Sequence, residues 1–304
     1  MIWSQSWLVN SKETNTSAAY PSFNLAHKPI EIYVFLDPQC PECWTIEPYL
    51  RKLSLEYGRF FTIRPVLSNR NGVLSLYQLH VSRKIREIYR LSAKNFHLNS
   101  CTDVESHNLI HTPDMIPLAI KAAELQGKRA GKLFLRKVQE KLFLKQQDIS
   151  HKTTLLKCAN EVGIDLEEFK KDLYSYAAKK ALHSDIKLTY EMDIDHLPSI
   201  VYMNHKTDEQ GIKISGIYPY DIYVRVLAEV MNGHPIPSEK PPLIQFIRFY
   251  KIISSNEIAI IYDWPLEKAE RELKKLQLKQ LVKQISGKDE SFWGYIDQKS
   301  YQKT

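Results

Sequence analysis

The stretch from Ile30 to Gly58 limits what this chain can fold into more than any other. Ile30-Glu31-Ile32-Tyr33-Val34-Phe35-Leu36 is β-branched and aromatic with a single charge, which suits a buried strand. Asp37 and Pro38 break that run. Cys40-Pro41-Glu42-Cys43 follows, and the apolar positions Trp44, Ile46, Tyr49, Leu50, Leu53 and Tyr57 then recur near helical spacing, up to a stop at Gly58. A strand therefore feeds a short loop, and a Cys-x-x-Cys occupies the first turn of a helix.

A dithiol so placed, beside a βαβ pattern, reads as a thioredoxin-like redox motif. A thiol at a helix N-terminus faces free N–H groups and the positive end of the dipole, so Cys40 is expected to favour the thiolate. Pro41 suits the first helical position, where no N–H is missed. Glu42 opposes the thiolate, and the expectation is a moderate dithiol with Cys40 as attacking and Cys43 as resolving thiol. A four-cysteine zinc site would need a second close pair, whereas Cys101 and Cys158 lie far apart and read as lone thiols. His80, His97, His107 and His111 share a region with Cys101 but repeat no ligand spacing, so neither a metal nor a cofactor is expected. Trp44 reads as core packing.

The chain has 304 residues, room for about two domains. A net charge of +7 spread along the chain permits acidic partners without demanding them. No apolar run approaches the roughly 18 residues of a membrane span. The start, Met1-Ile2-Trp3-Ser4-Gln5-Ser6-Trp7, lacks the basic and apolar regions of a secretory signal. The expected location is the cytoplasm, where the dithiol would rest reduced. There is no phosphate loop, no nucleophile elbow and no partnered carboxylate pair, so ATPase or protease chemistry has no support.

In chain order, residues 1–28 read as a flexible arm rich in Ser, Thr, Asn and Ala. Phe60 to Leu67 is a second strand, which a helical crossover makes parallel to the first. A helical insertion fills about 74–188. One helix runs from about Leu74 to Ala93, and another starts at Thr112-Pro113-Asp114 and runs through Leu125. Gly127 to Gly131 reads as a connection, before a 3.6-residue period at Leu133, Phe134, Val138, Leu142 and Phe143. A helix from Thr154 to Val162 stops at Gly163, and Asp165 caps the next, which carries Phe169, Leu173 and Ala177. Leu197-Pro198 opens a strand through Met203, Ile212–Ser215 is its hairpin partner, and Tyr218 to Asn232 is a helix. Pro235, Pro237, Pro241 and Pro242 mark a linker. Beyond it come a helix from Leu243 to Tyr250, a second from Glu257 to Tyr262 capped by Ser255, and a third opened by Pro265. A hairpin around Gly287 completes the order of a winged helix. The third helix interleaves Lys268, Arg271, Lys274, Lys275 and Lys279 with Glu267, Glu270 and Glu272. A solvated or protein-binding face is therefore preferred over a DNA-recognition helix.

Strand, Cys-x-x-Cys helix, strand, helical insertion, Leu-Pro hairpin and last helix resemble the DsbA-like branch of the thioredoxin fold over residues 30–233. In that branch the proline before the third strand is cis and faces the cysteines, and Pro198 stands in the matching position. Within it the chain is similar to the cytosolic adaptors of the YjbH or SpxH type. The residues that carry this are Ile30–Tyr33, Asp37–Trp44, Tyr57-Gly58-Arg59-Phe60-Phe61 and Glu257–Ala269. Members carry a His- and Cys-rich N-terminal segment that could hold zinc, whereas the arm here has only His27 and no cysteine. The resemblance implies an α/β, DsbA-type fold over 29–235 and a small winged-helix-like domain over 236–304. It also implies an adaptor that binds the transcription factor Spx and promotes its degradation by the ClpXP protease. The residues taken alone favour an oxidoreductase using Cys40 and Cys43, with Pro198 to orient the mixed disulfide.

Overall fold

The computed structural model describes residues 28–68, 115–207, 211–286 and 291–297. The arm, the helix from Leu74, Cys101 and its neighbouring histidines, and the hairpin turn at Gly287 lie outside the described residues.

β1 (Ile30–Leu36) is the sequence's first strand, and it is buried on both faces. Its alternation sends Ile30, Ile32, Val34 and Leu36 into the main core. Tyr33 and Phe35 pack on the other side with Val66, Ile194 and Val201. α1 (Pro41–Thr45) and α2 (Glu47–Tyr57) follow, then β2 (Phe61–Leu67), which pairs parallel with β1 from Ile30↔Phe61 to Leu36↔Leu67. Pro65 is tolerated because β2 lies at the edge of the sheet. β3 (Ser199–Asn204) runs antiparallel to β1, and β4 (Ile212–Ser215) closes the order β2-β1-β3-β4.

The helical layer comprises α3 (Met115–Leu125), α4 (Lys128–Gln139), a π-helical turn (Glu140–Leu144), α5 (Lys152–Val162), α6 (Leu166–Asp172) and α7 (Tyr176–Glu191). Gly163 ends α5 at φ 74°, the left-handed stop its place suggested. Asp165 caps α6 by accepting from the Glu167 and Glu168 N–H groups. Two expectations fail here. Gly131 lies within α4, not in a connection, and Gln126 and Gly127, the latter at φ 126°, join α3 to α4. A Cβ at Gly131 would lie 2.1 Å from Glu124 Cγ, so this glycine serves close helix approach. The helix carrying Phe169 stops before Ala177 because the Ser175 hydroxyl accepts from Ala178 N–H and starts α7. The layer is tied to the sheet by Asp185 of α7, which accepts from Leu67 N–H (2.8 Å) and pairs with buried Lys121.

α8 (Tyr220–Val230) returns over the main core, with Tyr223, Leu227 and Val230 buried. After the prolines come α9 (Leu243–Tyr250), β5 (Ile252–Ser254), α10 (Ser255–Tyr262), α11 (Leu266–Leu278), β6 (Val282–Ser286) and β7 (Ser291–Tyr295). β5 is a strand the pattern did not reveal. It pairs with β7, giving a separate sheet of order β5-β7-β6. The cap of α10 is Ser254, one residue earlier than expected, because Glu257 stands three positions after it and completes a capping box. Phe246, Ile247, Ile253, Ile258, Ile261, Leu273 and Trp293 form a second apolar cluster. No helix among the described residues is long and apolar enough to cross a membrane.

Candidate functional site

β1 delivers the chain to the Cys40 loop. The Asp37 carboxylate accepts from Gln39 N–H (2.8 Å) and its carbonyl from Cys40 N–H (3.0 Å), which turns the backbone into α1. Cys40 is the N-cap in extended conformation and Pro41 follows it, so the dithiol starts the helix as the spacing predicts. Both sulfurs are free thiols, and both are buried, Cys40 at 0% and Cys43 at 4% exposure. Burial first, then the hydrogen bond to Cys40 and the charge of Asp37, push the Cys43 thiol well above its ordinary pKa. The Leu197–Pro198 peptide bond is cis. Because Phe35 stands opposite Ser199, Pro198 lies at the end of the sheet where β1 runs into the cysteine loop. Its carbonyl accepts from Gly216 N–H (2.8 Å). Cys158 is buried in α5, where burial raises its thiol to about 11, and it packs in the core.

Next to the dithiol lies a set of buried charges that the spacing did not bring together. Arg136 of α4 lies 3.7 Å from the Trp44 ring centre. It pairs with Glu47 of α2, with Glu140 (3.2 Å) and, through Nη2, with Glu257 of α10 (3.1 Å). Arg51, four residues after Glu47, pairs with Glu47, reaches Glu257 (3.5 Å) and lies 4.1 Å from the Tyr250 ring centre. Glu257 also accepts from Ser254 N–H (2.8 Å), so one carboxylate both caps α10 and serves two arginines. Burial would lower the Arg136 guanidinium, but Glu257, Glu47 and Glu140 reverse this and hold it above its ordinary value. Burial would likewise raise Glu47, and Arg136 and Arg51 hold it below the usual carboxylate range. A second bridge adjoins this one. Lys52 pairs with Asp263, and Lys240 pairs with Glu56 (2.9 Å) and with Asp263. Arg59 donates to the Ile236 carbonyl and the Ser238 hydroxyl. The visible signal for all this was the i,i+4 pairs Glu47/Arg51 and Arg136/Glu140 among apolar neighbours.

A parallel β1–β2 pair, an antiparallel hairpin bearing a cis proline, and a dithiol at a helix start define a thioredoxin-class protein of DsbA type. The family profile described as Thioredoxin matches residues 33–225. A solved structure from Nitrosomonas europaea, assigned as a protein disulfide isomerase, superimposes with TM-score 0.53. It is 16% identical and covers 67% of this chain and 98% of that one. A Streptomyces coelicolor structure assigned as a DsbA oxidoreductase gives TM-score 0.50 at 13% identity, covering 70% of this chain and 92% of that one. At the level of sequence the chain is similar to the ClpXP adapter protein SpxH of Bacillus licheniformis, 42% identical over 272 residues, 89% of this chain and 90% of that protein. The chain belongs to this SpxH family of ClpXP adapter proteins, built on the thioredoxin fold.

Proposed function

We propose that the protein is an adaptor that binds Spx and promotes its degradation by ClpXP in the cytoplasm, with no catalytic turnover of its own. The observation that carries this reading is 42% identity across nearly the whole chain to a protein named as a ClpXP adapter. The site supports it from another direction. A nucleophilic thiol must be reached by its disulfide substrate, yet Cys40 is fully buried and Cys43 is held as a thiol. The reading takes the chain as two units, 29–235 and 236–304, the second winged-helix-like, with Spx seated on their surface. The reading does not call on nucleic acid: α11 interleaves its basic residues with acids, and Lys275 pairs with Glu272 (2.8 Å).

A thiol–disulfide oxidoreductase is the second reading. The hydrogen-bonded Cys40–Cys43 pair and the cis Pro198 at one end of the sheet favour it. One experiment separates the two: Spx degradation by reconstituted ClpXP, under reducing conditions, without this protein, with wild type and with Cys40→Ala/Cys43→Ala. Stimulation by wild type, largely kept by the double variant, is expected. Failure of wild type to stimulate refutes the adaptor reading. Loss of stimulation in a folded double variant makes the cysteines functional in their own right.

A further inference from the structure

α11 (Leu266–Leu278) shows solvent a face that neither the adaptor reading nor the dithiol uses. Ala269 and Leu273 hold its inner side in the second apolar cluster. Glu267, Glu270, Arg271, Lys274, Lys275 and Leu278 line one open groove along the outer side, as their helical spacing requires. The charges on this face are sorted by sign. Glu267 and Glu270 stand towards the start of the helix, and Arg271, Lys274 and Lys275 towards its end.

Within the chain these groups are satisfied only in part. Lys275 pairs with Glu272 (2.8 Å), which also lies in the field of Arg271. Among the described residues no ion pair engages Glu267, Glu270 or Lys274. The helix dipole accounts for the order of the signs. It does not account for Leu278, which ends the stripe and at 86% is the most exposed large apolar side chain among the described residues.

The sorting has a geometric consequence. Turned end for end about a two-fold axis between Glu270 and Arg271, the face is its own complement. Glu267 then meets Lys274 of a second copy and Glu270 meets its Arg271, and the symmetry makes each pair twice. Leu278 reaches the start of the other α11, where Pro265 is exposed, Leu266 is 38% exposed and Trp264 is half-buried. A duplex or other polyanion fits less well, since Glu267 and Glu270 share the groove with the cations.

We infer that α11 is a self-association surface, pairing antiparallel with α11 of a second copy of this chain. The inference stands independently of the adaptor reading. A helix of 13 residues is about 20 Å long, and its face with long side chains is about 15 Å wide. The pairing therefore covers roughly 600 Å² in total, below the roughly 1,200 Å² at which standard interfaces begin. Its ion pairs are solvent-exposed and individually weak. The product is a transient dimer with a Kd on the order of 100 µM.

The test is sedimentation equilibrium of the full chain from about 10 to 500 µM, at low salt and at about 0.5 M salt. The mass of the wild-type chain is expected to rise from monomer towards dimer with concentration, and the higher salt to weaken association about tenfold. Glu267→Lys/Glu270→Lys and Arg271→Glu/Lys274→Glu each place one sign over most of the face, and each variant alone is expected to stay monomeric. Their equimolar mixture restores every pair across the axis and should associate at least as tightly as wild type. Wild type that stays monomeric up to about 500 µM assigns the face to another partner and overturns the inference. Association indifferent to salt or to the substitutions overturns it too, as does a mixture of the two folded variants that stays monomeric. The salt dependence of wild type decides even where a variant fails to fold.

Discussion

Removing the Glu257 carboxylate tests whether the buried arginines hold the two sheets' surroundings together. Glu257 accepts from Arg51 and Arg136, whose side chains are 1% and 10% exposed, and is itself 5% exposed. Taking one partner from a buried ion pair costs about 3–5 kcal/mol, because the remaining charge is left in a poorly solvating site. Arg51 keeps Glu47, and Arg136 keeps Glu47 and Glu140, so the lower end applies. Glu257→Gln is thus expected to lose about 3 kcal/mol, and no more, since the amide oxygen can still accept from Ser254 N–H. Glu257→Ala also loses the capping box, about 1 kcal/mol more. The assay is urea unfolding followed by tryptophan fluorescence, with Trp44, beside Arg136, as a local reporter. Arg51→Gln and the double variant complete a cycle. Groups that share a carboxylate should couple by about 0.5–3 kcal/mol. A loss below about 1 kcal/mol in Glu257→Gln, or losses that simply add in the double variant, would refute the reasoning.

Three further outcomes follow from the same geometry. Cys40, Cys43 and Cys158 should react with iodoacetamide at pH 8 about a hundredfold or more slowly than a free thiol in native protein, read by peptide mass mapping; fast labelling of Cys40 would restore the oxidoreductase reading. Glu47 and Asp263 are held below their ordinary pKa, so their pairing stabilises the fold fully above the unfolded carboxylate values near 4 and is lost as pH falls through the lower folded values. The urea midpoint should therefore stay level from pH 7 to about 5 and drop below about 4, and a flat profile down to pH 3 would contradict these ion pairs. Gly131→Ala should lose about 1–2 kcal/mol despite alanine's better helix propensity, because its Cβ meets Glu124 at 2.1 Å; a neutral or stabilised variant in the same urea assay counts against this close approach.

What was legible in the sequence was local. The β1 run, the Cys-x-x-Cys helix start, the Gly163 stop, the Asp165 cap and the Leu-Pro hairpin each rest on neighbours a few positions apart, and each stands where its pattern put it. The errors have equally local causes. Gly127 and Gly131 together looked like a connection, because a glycine chosen for helix contact leaves the same mark as one chosen for a turn. The period through Phe169, Leu173 and Ala177 crosses a real break at Ser175, since apolar spacing persists while one hydroxyl restarts the helix. The arginine cluster was beyond such patterns. Arg51 meets Glu257 across 206 positions and Arg136 meets it across 121.

α2 shows how one helix of the thioredoxin frame serves three sets of neighbours. Tyr49, Leu50, Leu53 and Tyr57 of this helix face the main core, as in any helix laid on a sheet. A second row is given to Glu47, Arg51 and Leu55, and these reach Glu257, Tyr250 and the second apolar cluster. A third row, Lys52 and Glu56, holds Asp263 and Lys240. The helix is covered nearly all round, so its charges are retained only because each has a fixed partner. Those partners lie at or beyond the proline linker, so the charges along α2 fasten that part of the chain to the helix that follows the dithiol.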